Sequence, residues 1–413
     1  MTMVVLENAR LFDGTSDTLR EGISVAVEGR LIKEVSDRSI KSDNARRIDL
    51  GGRTLMPGLI DLHIHAYICG INSRETEMAG RAYQAAFAAK MLGHALDCGF
   101  TTLRDIGGGD WSLARAISTG LIRGPRFFYV GKMLSMTGGH GDSRPASDEG
   151  YSHEGCNCGQ INSLKVIADG VDECIAATRE QFRRGAHAIK IMAGGGAFSP
   201  TDPIWLNQYR EDEIRAIVEE CRQRRSYVSA HVSTADGIRR CVEFGVRCIE
   251  HGHFMDEETA AYVAKQGAYV VPTLAIIYAM SEIRHELGVS DEMLEKLDYH
   301  VKGAFAGLEQ MRKAGISVGF GTDLLGKTYV RHCTEFTLRR EVFTPVEILR
   351  QATSVGAEIL QMKGKLGCVA PDAFADLIVV NGDPTKDIGL LAQDGRALSL
   401  IMRNGELVKN ELS

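Results

Sequence analysis

The chain lacks the features that direct a protein to a membrane, to export or to nucleic acid. No apolar run in its 413 residues approaches the roughly 20 needed to span a bilayer. The first residues lead directly into strand-like sequence, without the basic segment and apolar core of a signal peptide. The formal net charge is only −6 with both signs interspersed, so no basic surface for nucleic acid is indicated. We therefore expect a cytoplasmic protein that binds neither a membrane nor nucleic acid.

Closely spaced cysteines are also scarce, although the chain has ten cysteines in all. Most lie in apolar or helical runs, which favours reduced, buried thiols over a disulfide framework. Cys156 and Cys158 form the one close pair, in HEGCNCGQ. A single Cys-x-Cys in a Gly/Asn loop is compatible with metal binding or oxidation and predicts neither.

Strand and turn patterns divide the chain into two parts. Residues 1–56 and 371–413 carry short alternating strands around Gly and Asn-Gly turns, as in ADLIVVNGDP. Between them, residues 57–370 alternate β-like runs with helices such as RAYQAAFAAKMLGHALD. We predict a small β-sandwich built from both termini and a barrel domain over 57–370.

The central part contains eight β-like runs. In chain order they are DLHIH, FTTLRDIGG, RFFYVGKML, AIKIMAGG, YVSAHVS, CIEHGHF, AYVVPTLAI and ISVGFGTD. Eight alternating β/α units predict an α/β fold with one closed (β/α)8 TIM barrel. The Gly-rich segment 136–170 after the third run is too long for an ordinary connection, and we interpret it as a pocket wall or lid.

Residues that bind divalent metals stand at the ends of five of these runs. They are His63, His65, Lys190, His231, His251 and Asp323. The carboxyl ends of barrel strands share one face, where active sites lie, so we expect these side chains to meet. An isolated His-x-His would be better explained by core histidines with satisfied hydrogen bonds, whereas the ordered set favours a metallohydrolase.

At this point the sequence resembles the amidohydrolase superfamily. The matching runs are PGLIDLHIH, AIKIMAGGG, GFGTD and GCVAPDAFADLIVVNGDP. Further runs, TGGHGD, SPTDP, AYVVPTL and GFGTDLLG, are similar to the branch with Xaa-Pro and Xaa-Arg/Lys dipeptidases and N-acyl amino acid hydrolases.

The resemblance implies a site with two divalent metals, zinc being expected. Lys190 would be carboxylated by CO2, and its carbamate would bridge the metals. His63, His65 and Asp323 would hold one metal, and His231 and His251 the other. A hydroxide bridging them would be the nucleophile.

The resemblance also implies two catalytic side chains. Asp323 would act as general base and acid, and His140 in TGGHGD would donate to the substrate carbonyl.

Two positions depart from the pattern of the dipeptidase relatives. Ser233 stands where those proteins often have a tyrosine that binds the substrate carboxylate, and His253 stands where they tend to have asparagine. Other candidates for substrate contacts are Tyr209, Tyr278, Arg331 and His332.

We therefore predict cleavage of the amide bond of a dipeptide or N-acyl amino acid, Xaa-Pro-like or related, by a homo-oligomeric enzyme. The alternative within the superfamily is a mononuclear deaminase or cyclic-amide hydrolase, in which Lys190 would have no special role. A hypothesis from a different class is a non-catalytic relative that keeps the barrel as a structural subunit. Such proteins usually lose metal ligands, whereas all six positions here carry side chains that could serve.

Overall fold

We describe the protein from a computed structural model, which covers residues 3–71, 73–144, 164–197, 199 and 202–412. It is an α/β protein with a TIM barrel and a small β domain, as predicted. None of the described helices combines the length and apolar content that a membrane crossing requires.

Strands from both ends of the chain form the small domain. They are β1 (Val4–Leu11), β2 (Arg20–Glu28), β3 (Leu31–Ser36), β4 (Arg46–Asp49), β5 (Thr54–Pro57), β15 (Leu377–Val380), β16 (Leu398–Arg403) and β17 (Glu406–Asn410). They pair in the order β17-β16-β15-β5-β1-β2-β3, with β4 beside β1, so they form one continuous sheet. Both termini contribute strands, as predicted, whereas the limits at 56/57 and 370/371 stay a prediction.

The barrel strands fall into two parallel sheets. The first contains β6 (Leu59–Ile64), β7 (Phe100–Asp105) and β8 (Arg126–Tyr129). The second runs β10 (Lys165–Ile167), β9 (Met133–Ser135), β11 (Ile189–Met192), β12 (Val228–Thr234), β13 (Cys248–Phe254) and β14 (Tyr269–Val271). Every residue of β6, β7 and β11 is buried, polar ones included, because parallel strands are covered on both faces.

Two predicted strands take a different form. The third run divides into β8 and β9 around Gly131, whose φ of 75° breaks the extended backbone. The eighth run makes only an isolated bridge, between Val318 and Val270.

Backbone hydrogen bonds outside the named ladders join the two sheets. Ser317 O accepts from Val270 N of β14, and Phe320 O accepts from Leu62 N of β6. At the other junction, His187 N donates to Tyr129 O. The eighth segment therefore occupies its barrel position between β14 and β6, although it is not a regular strand.

Helices connect the strands and cover the barrel. They are α1 (Ser73–Met78), α2 (Arg81–Asp97), α3 (Trp111–Ser118), α4 (Val171–Arg183), α5 (Glu211–Gln223), α6 (Ala235–Glu243), α7 (Glu257–Gln266), α8 (Leu274–Glu282), α9 (Asp291–Lys313), α10 (Thr334–Arg339), α11 (Pro345–Gln351) and α12 (Ser354–Ile359). Short 3-10 helices cover Arg284–Glu286, Gly326–Arg331 and Ile388–Leu390. Helix α2 has the bounds of the helical run noted in the sequence, and the longest helix, α9, packs on β13.

Candidate metal centre

The six candidate metal ligands line one cavity at the carboxyl ends of the barrel strands. Its volume is about 170 Å³. His63 lies in β6, and His65 follows one residue after its end. Lys190 lies in β11, His231 in β12 and His251 in β13. Asp323 follows the eighth segment. The sequence prediction that these side chains meet is consistent with this placement.

Asp323 is central to the cluster. Its Oδ1 lies 3.4 Å from Nε2 of His63 and 3.2 Å from Nε2 of His65. His63, His251 and Asp323 each offer a ligand atom within 4.8 Å of the other two. The ring centroids of His231 and His251 are 4.4 Å apart. The ligand atoms of His63, His251 and Asp323 are therefore close enough to share one metal.

Two of the ligand candidates sit on left-handed backbone. The φ angles are 72° at His251 and 56° at Asp323, and neither residue is a glycine. Next to His251, Gly252 also has a positive φ, of 66°, and the pairing of β12 with β13 shifts its register there. Such a conformation costs on the order of 1 to 3 kcal/mol for a residue with a side chain and is concentrated at functional sites. The irregularity directs His251 into the cavity.

Three of the histidines have one ring nitrogen held by a group outside the cluster. Nδ1 of His63 contacts Glu250 Oε2 at 2.7 Å, Nδ1 of His65 contacts Gly107 O at 3.0 Å, and Nδ1 of His251 contacts Thr273 Oγ1 at 2.8 Å. An acceptor at Nδ1 fixes the tautomer that leaves the Nε2 lone pair free, which is the usual arrangement of metal-binding histidines.

The partner of His63, Glu250, is itself held in a fully buried network. Nη2 of Arg104 donates to Glu250 Oε1 at 2.6 Å, and Ser229 Oγ donates to the same oxygen. Although burial raises the pKa of Glu250, Arg104 and His63 lower it well below its usual range. Glu250 is therefore a carboxylate at neutral pH and a firm acceptor for His63.

Lys190 is buried, with 1% of its surface exposed, and no carboxylate of the described residues forms an ion pair with it. Burial lowers its pKa to about 8, against the opposing influence of Glu250 and Asp323. A substantial fraction of the amine is therefore neutral near pH 8, which is the form that can react with CO2. A lone buried ammonium would be costly in this position.

The residues present fit divalent metal ions. Nε2 of His231 is buried with no hydrogen-bond partner among the described residues. Burial holds the pKa of His231 and of His251 well below the ordinary value, so both are neutral imidazoles, the form that binds metals. Imidazole and carboxylate donors without sulfur suit zinc and similar first-row ions.

His140 lies against the cluster and is held on its other side. Its ring stacks on that of His231 with centroids 4.2 Å apart. Nδ1 lies 2.9 Å from Ser199 Oγ and 3.3 Å from Asp202 Oδ2. A Cβ on Gly196 would lie 2.2 Å from His140 Cε1, so glycine is required for this ring position. These contacts fix the ring in the cavity wall, where its Nε2 is available to a ligand.

Two of the predicted substrate contacts, Ser233 and His253, also line the cavity. The other four do not belong to the lining. Tyr209 is buried behind the wall, with its backbone N beside Met136 Sδ at 3.3 Å, and Tyr278 packs on Phe305.

Arg331 and His332 are directed away from the cavity. Arg331 forms a surface ion pair with Glu282. His332 is buried beside Asp61, at 2.9 Å, and stacks on Phe100. Their chain position after the eighth strand predicts a place at the mouth of the cavity. The 3-10 helix Gly326–Arg331 instead directs Arg331 to the surface and His332 toward Asp61. The geometry gives no support to substrate contacts by these two residues.

The long segment after β9 is only partly described. Within 136–170, His140 and Lys165 line the cavity, as does Met133 just before it, and this placement is consistent with a pocket wall. Cys156 and Cys158 lie outside the described residues.

Sequence reasoning missed two polar residues of the cavity lining, Lys165 of β10 and His300 of α9. Nδ1 of His300 lies 3.1 Å from Nδ1 of His253. Burial, helped by the positive charge of His140, lowers the pKa of His300 to about 4. A histidine on a long helix has no distinctive spacing, and no signal in the sequence marked it.

Comparison with known proteins defines the class. The model of the amidohydrolase family matches residues 54–408, so the chain belongs to this family and is a hydrolytic enzyme. Ochratoxinase of Aspergillus niger is 30% identical over 380 residues, covering 86% of this chain and 75% of that protein.

Solved structures refine the comparison. A prolidase solved with N-methylphosphonate-L-proline is 42% identical, with a TM-score of 0.95 over 99% of this chain and 100% of that one. A Xaa-Pro dipeptidase with bound methionine is 27% identical, with a TM-score of 0.89 over 99% of this chain and 100% of that one. The predicted resemblance to the dipeptidase branch of the superfamily is confirmed.

Proposed function

We propose that this enzyme cleaves the amide bond of a dipeptide or N-acyl amino acid, with Xaa-Pro dipeptides as its first candidate substrates. The observation that carries the proposal is the cluster of His63, His65, Lys190, His251 and Asp323, whose histidines are oriented by outer acceptors. Similarity to a prolidase and to a Xaa-Pro dipeptidase supports the choice of substrate.

The cluster would hold two divalent ions, with a CO2-derived carbamate on Lys190 between them. Bound there, the ions would lower the pKa of a water bridging them and polarise the scissile carbonyl. His63, His65 and Asp323 would serve one position, and His231 and His251 the other. Lys190 is buried and has no ion-pair partner among the described residues, which supports the carbamate, because a carbamate anion would bind metal whereas an ammonium would only lose its hydration.

Asp323 is the proposed proton carrier. Although burial raises its pKa, His63 and His65 hold the pKa of Asp323 well below its usual range. It is therefore ionised at neutral pH and can take a proton from the attacking water. The same carboxyl group can then give that proton to the leaving nitrogen.

His140 is the proposed donor to the substrate carbonyl. Oδ2 of Asp202 lies 3.3 Å from Nδ1 of His140 and helps to hold the ring in place. A donor held in place before the reaction stabilises negative charge that develops on the carbonyl oxygen, often by a few kcal/mol.

A substrate and metal survey tests the proposal. Zinc-reconstituted protein should hydrolyse Xaa-Pro dipeptides or N-acyl-L-amino acids, contain two metal ions per chain and show a carbamate carbon by ¹³C NMR after loading with ¹³C-bicarbonate. One metal ion, no carbamate signal and preferential turnover of lactams or amino-purines would support the mononuclear alternative. Two bound metals with no hydrolysis of any amide would contradict the assigned reaction.

A further inference from the structure

Besides Nε2 of the candidate metal ligand His231, three buried polar atoms in the cavity wall have no hydrogen-bond partner among the described residues. They are Oγ of Ser233, Nε2 of His253 and Nε2 of His300. The three side chains are exposed by only 1%, 3% and 5%, and all line the cavity. Buried polar groups are nearly always paired, because an unpaired one costs about 1 to 3 kcal/mol. These atoms are therefore oriented toward a ligand group.

From these atoms we infer that Ser233, His253 and His300 form a binding site for the α-carboxylate of the leaving amino acid. This inference rests on the proposed function and specifies which end of the substrate is recognised.

Ser233 and His253 lie where the α-carboxylate of the leaving amino acid would be placed. Ser233 and His253 each follow a candidate metal ligand, His231 or His251, by two residues on the same strand. Two residues advance a strand by about 6.6 Å, so the pair forms a layer closer to the mouth. The carboxyl carbon of a leaving amino acid lies about 4 Å or less from the scissile carbon. A carboxylate reaching outward from the reaction centre meets this layer.

Hydrogen-bond geometry defines which donors and acceptors these three side chains present to a ligand. The contact of 3.1 Å between Nδ1 of His253 and Nδ1 of His300 requires one N–H donor and one lone pair. The ring whose Nδ1 accepts carries its own proton on Nε2, and that N–H has no partner among the described residues. Together with the hydroxyl of Ser233, the pair presents two donors, one for each carboxylate oxygen. The other Nε2 remains an acceptor.

Charge in the cavity favours an anion over a cation. Among the described lining residues Asp323 is the one carboxylate, and it belongs with Lys190 to the proposed metal centre, whereas Lys165 is basic. No acidic side chain of the described lining lies in the layer of Ser233 and His253 to receive a substrate ammonium group. Apolar residues, including Ile276 and Leu297, complete the wall and can accept an aliphatic ring or side chain.

The packing of α9 holds His300 in place. A Cβ on Gly307 would lie 2.3 Å from the carbonyl oxygen of His253, and one on Gly303 would lie 2.5 Å from Cε1 of Phe254. These glycines lie three and seven residues after His300, on the same face of the helix. They let α9 approach β13 closely enough for the two imidazoles to meet.

The test compares an acid substrate with its neutral amide. For L-alanyl-L-proline and L-alanyl-L-prolinamide, the zinc-loaded wild-type enzyme should favour the acid in kcat/KM by about ten- to a hundredfold, the usual value of hydrogen bonds to a charged group. In Ser233→Ala and in His300→Leu this ratio should fall to within about threefold of unity. Tyr299→Phe, a change of an exposed neighbour on α9, is the matched control and should keep the wild-type ratio.

Calorimetric titration with L-proline and L-prolinamide gives a second readout that needs no turnover. Wild-type protein should bind L-proline the more tightly, and both variants should lose that difference. A wild-type ratio near unity, or an equal fall for both substrates in the variants, would overturn the carboxylate site while leaving amide hydrolysis in place. Absence of turnover on every amide offered would instead contradict the proposed function.

Discussion

Replacing Glu250 with glutamine tests whether this buried carboxylate prepares His63 for metal binding. Its two oxygens contact Arg104 at 2.6 Å and His63 at 2.7 Å, and all three side chains are fully buried or nearly so. Glutamine keeps the size of the side chain but removes the negative charge. Its amide group also offers a donor where Nδ1 of His63 now has an acceptor, which favours the tautomer with a proton on Nε2.

Two separate effects follow from this geometry. Removing one partner of a buried ion pair leaves the charge of Arg104 uncompensated, and the cost is about 3 to 5 kcal/mol. The changed tautomer of His63 withdraws the lone pair that would bind metal, and loss of such an outer partner typically lowers metal affinity about 10- to 100-fold. Because the pKa of Glu250 is lowered in the fold, its stabilisation is complete above its ordinary pKa and disappears as the pH falls.

Denaturant unfolding of the metal-free protein and chelator competition for zinc measure the two effects separately. The gap in stability between wild type and Glu250→Gln should be largest near pH 7 and narrow below about pH 4.5. Glu335→Gln is the control for zinc affinity, since Glu335 is another fully buried acidic side chain, 2.7 Å from Arg339 and outside the cavity lining, whose pKa burial raises to about 7. It should lose stability and keep its zinc affinity. A Glu250→Gln protein that loses less than about 1 kcal/mol and binds zinc as wild type does would refute the reasoning.

Further predictions concern the metals, the base and the helix that carries His300. Lys190→Ala should lose the second metal ion and most activity, and two metals with a wild-type rate would contradict the carbamate. Asp323→Asn should lower kcat/KM on the order of 10²-fold, and a fall of less than about threefold would remove Asp323 from proton transfer. Gly307→Ala should destabilise the protein by about 1 to 3 kcal/mol, as judged by thermal unfolding, because its Cβ would lie 2.3 Å from the carbonyl oxygen of His253. Chelation of the metals should lower the unfolding midpoint of wild type more than that of Lys190→Ala.

The sequence alone determined the barrel and the candidate metal residues. His63, Lys190, His231 and His251 lie within β6, β11, β12 and β13, and Asp323 follows the eighth segment. In a parallel barrel the carboxyl ends of all strands share one face, so strand order and residue type together predict a cluster. This inference needs only the position of each residue along its own strand.

The tertiary structure decided what surrounds that cluster. The contact of His140 with Asp202 and the pairing of His253 with His300 join residues from separate loops, strands and helices. Arg331, which follows the eighth segment closely, turns away to the surface. Such contacts depend on the angle and depth at which α9 and the loops pack on the barrel. Strand periodicity fixes the direction of a side chain on its strand, whereas packing fixes which side chain from another element it meets.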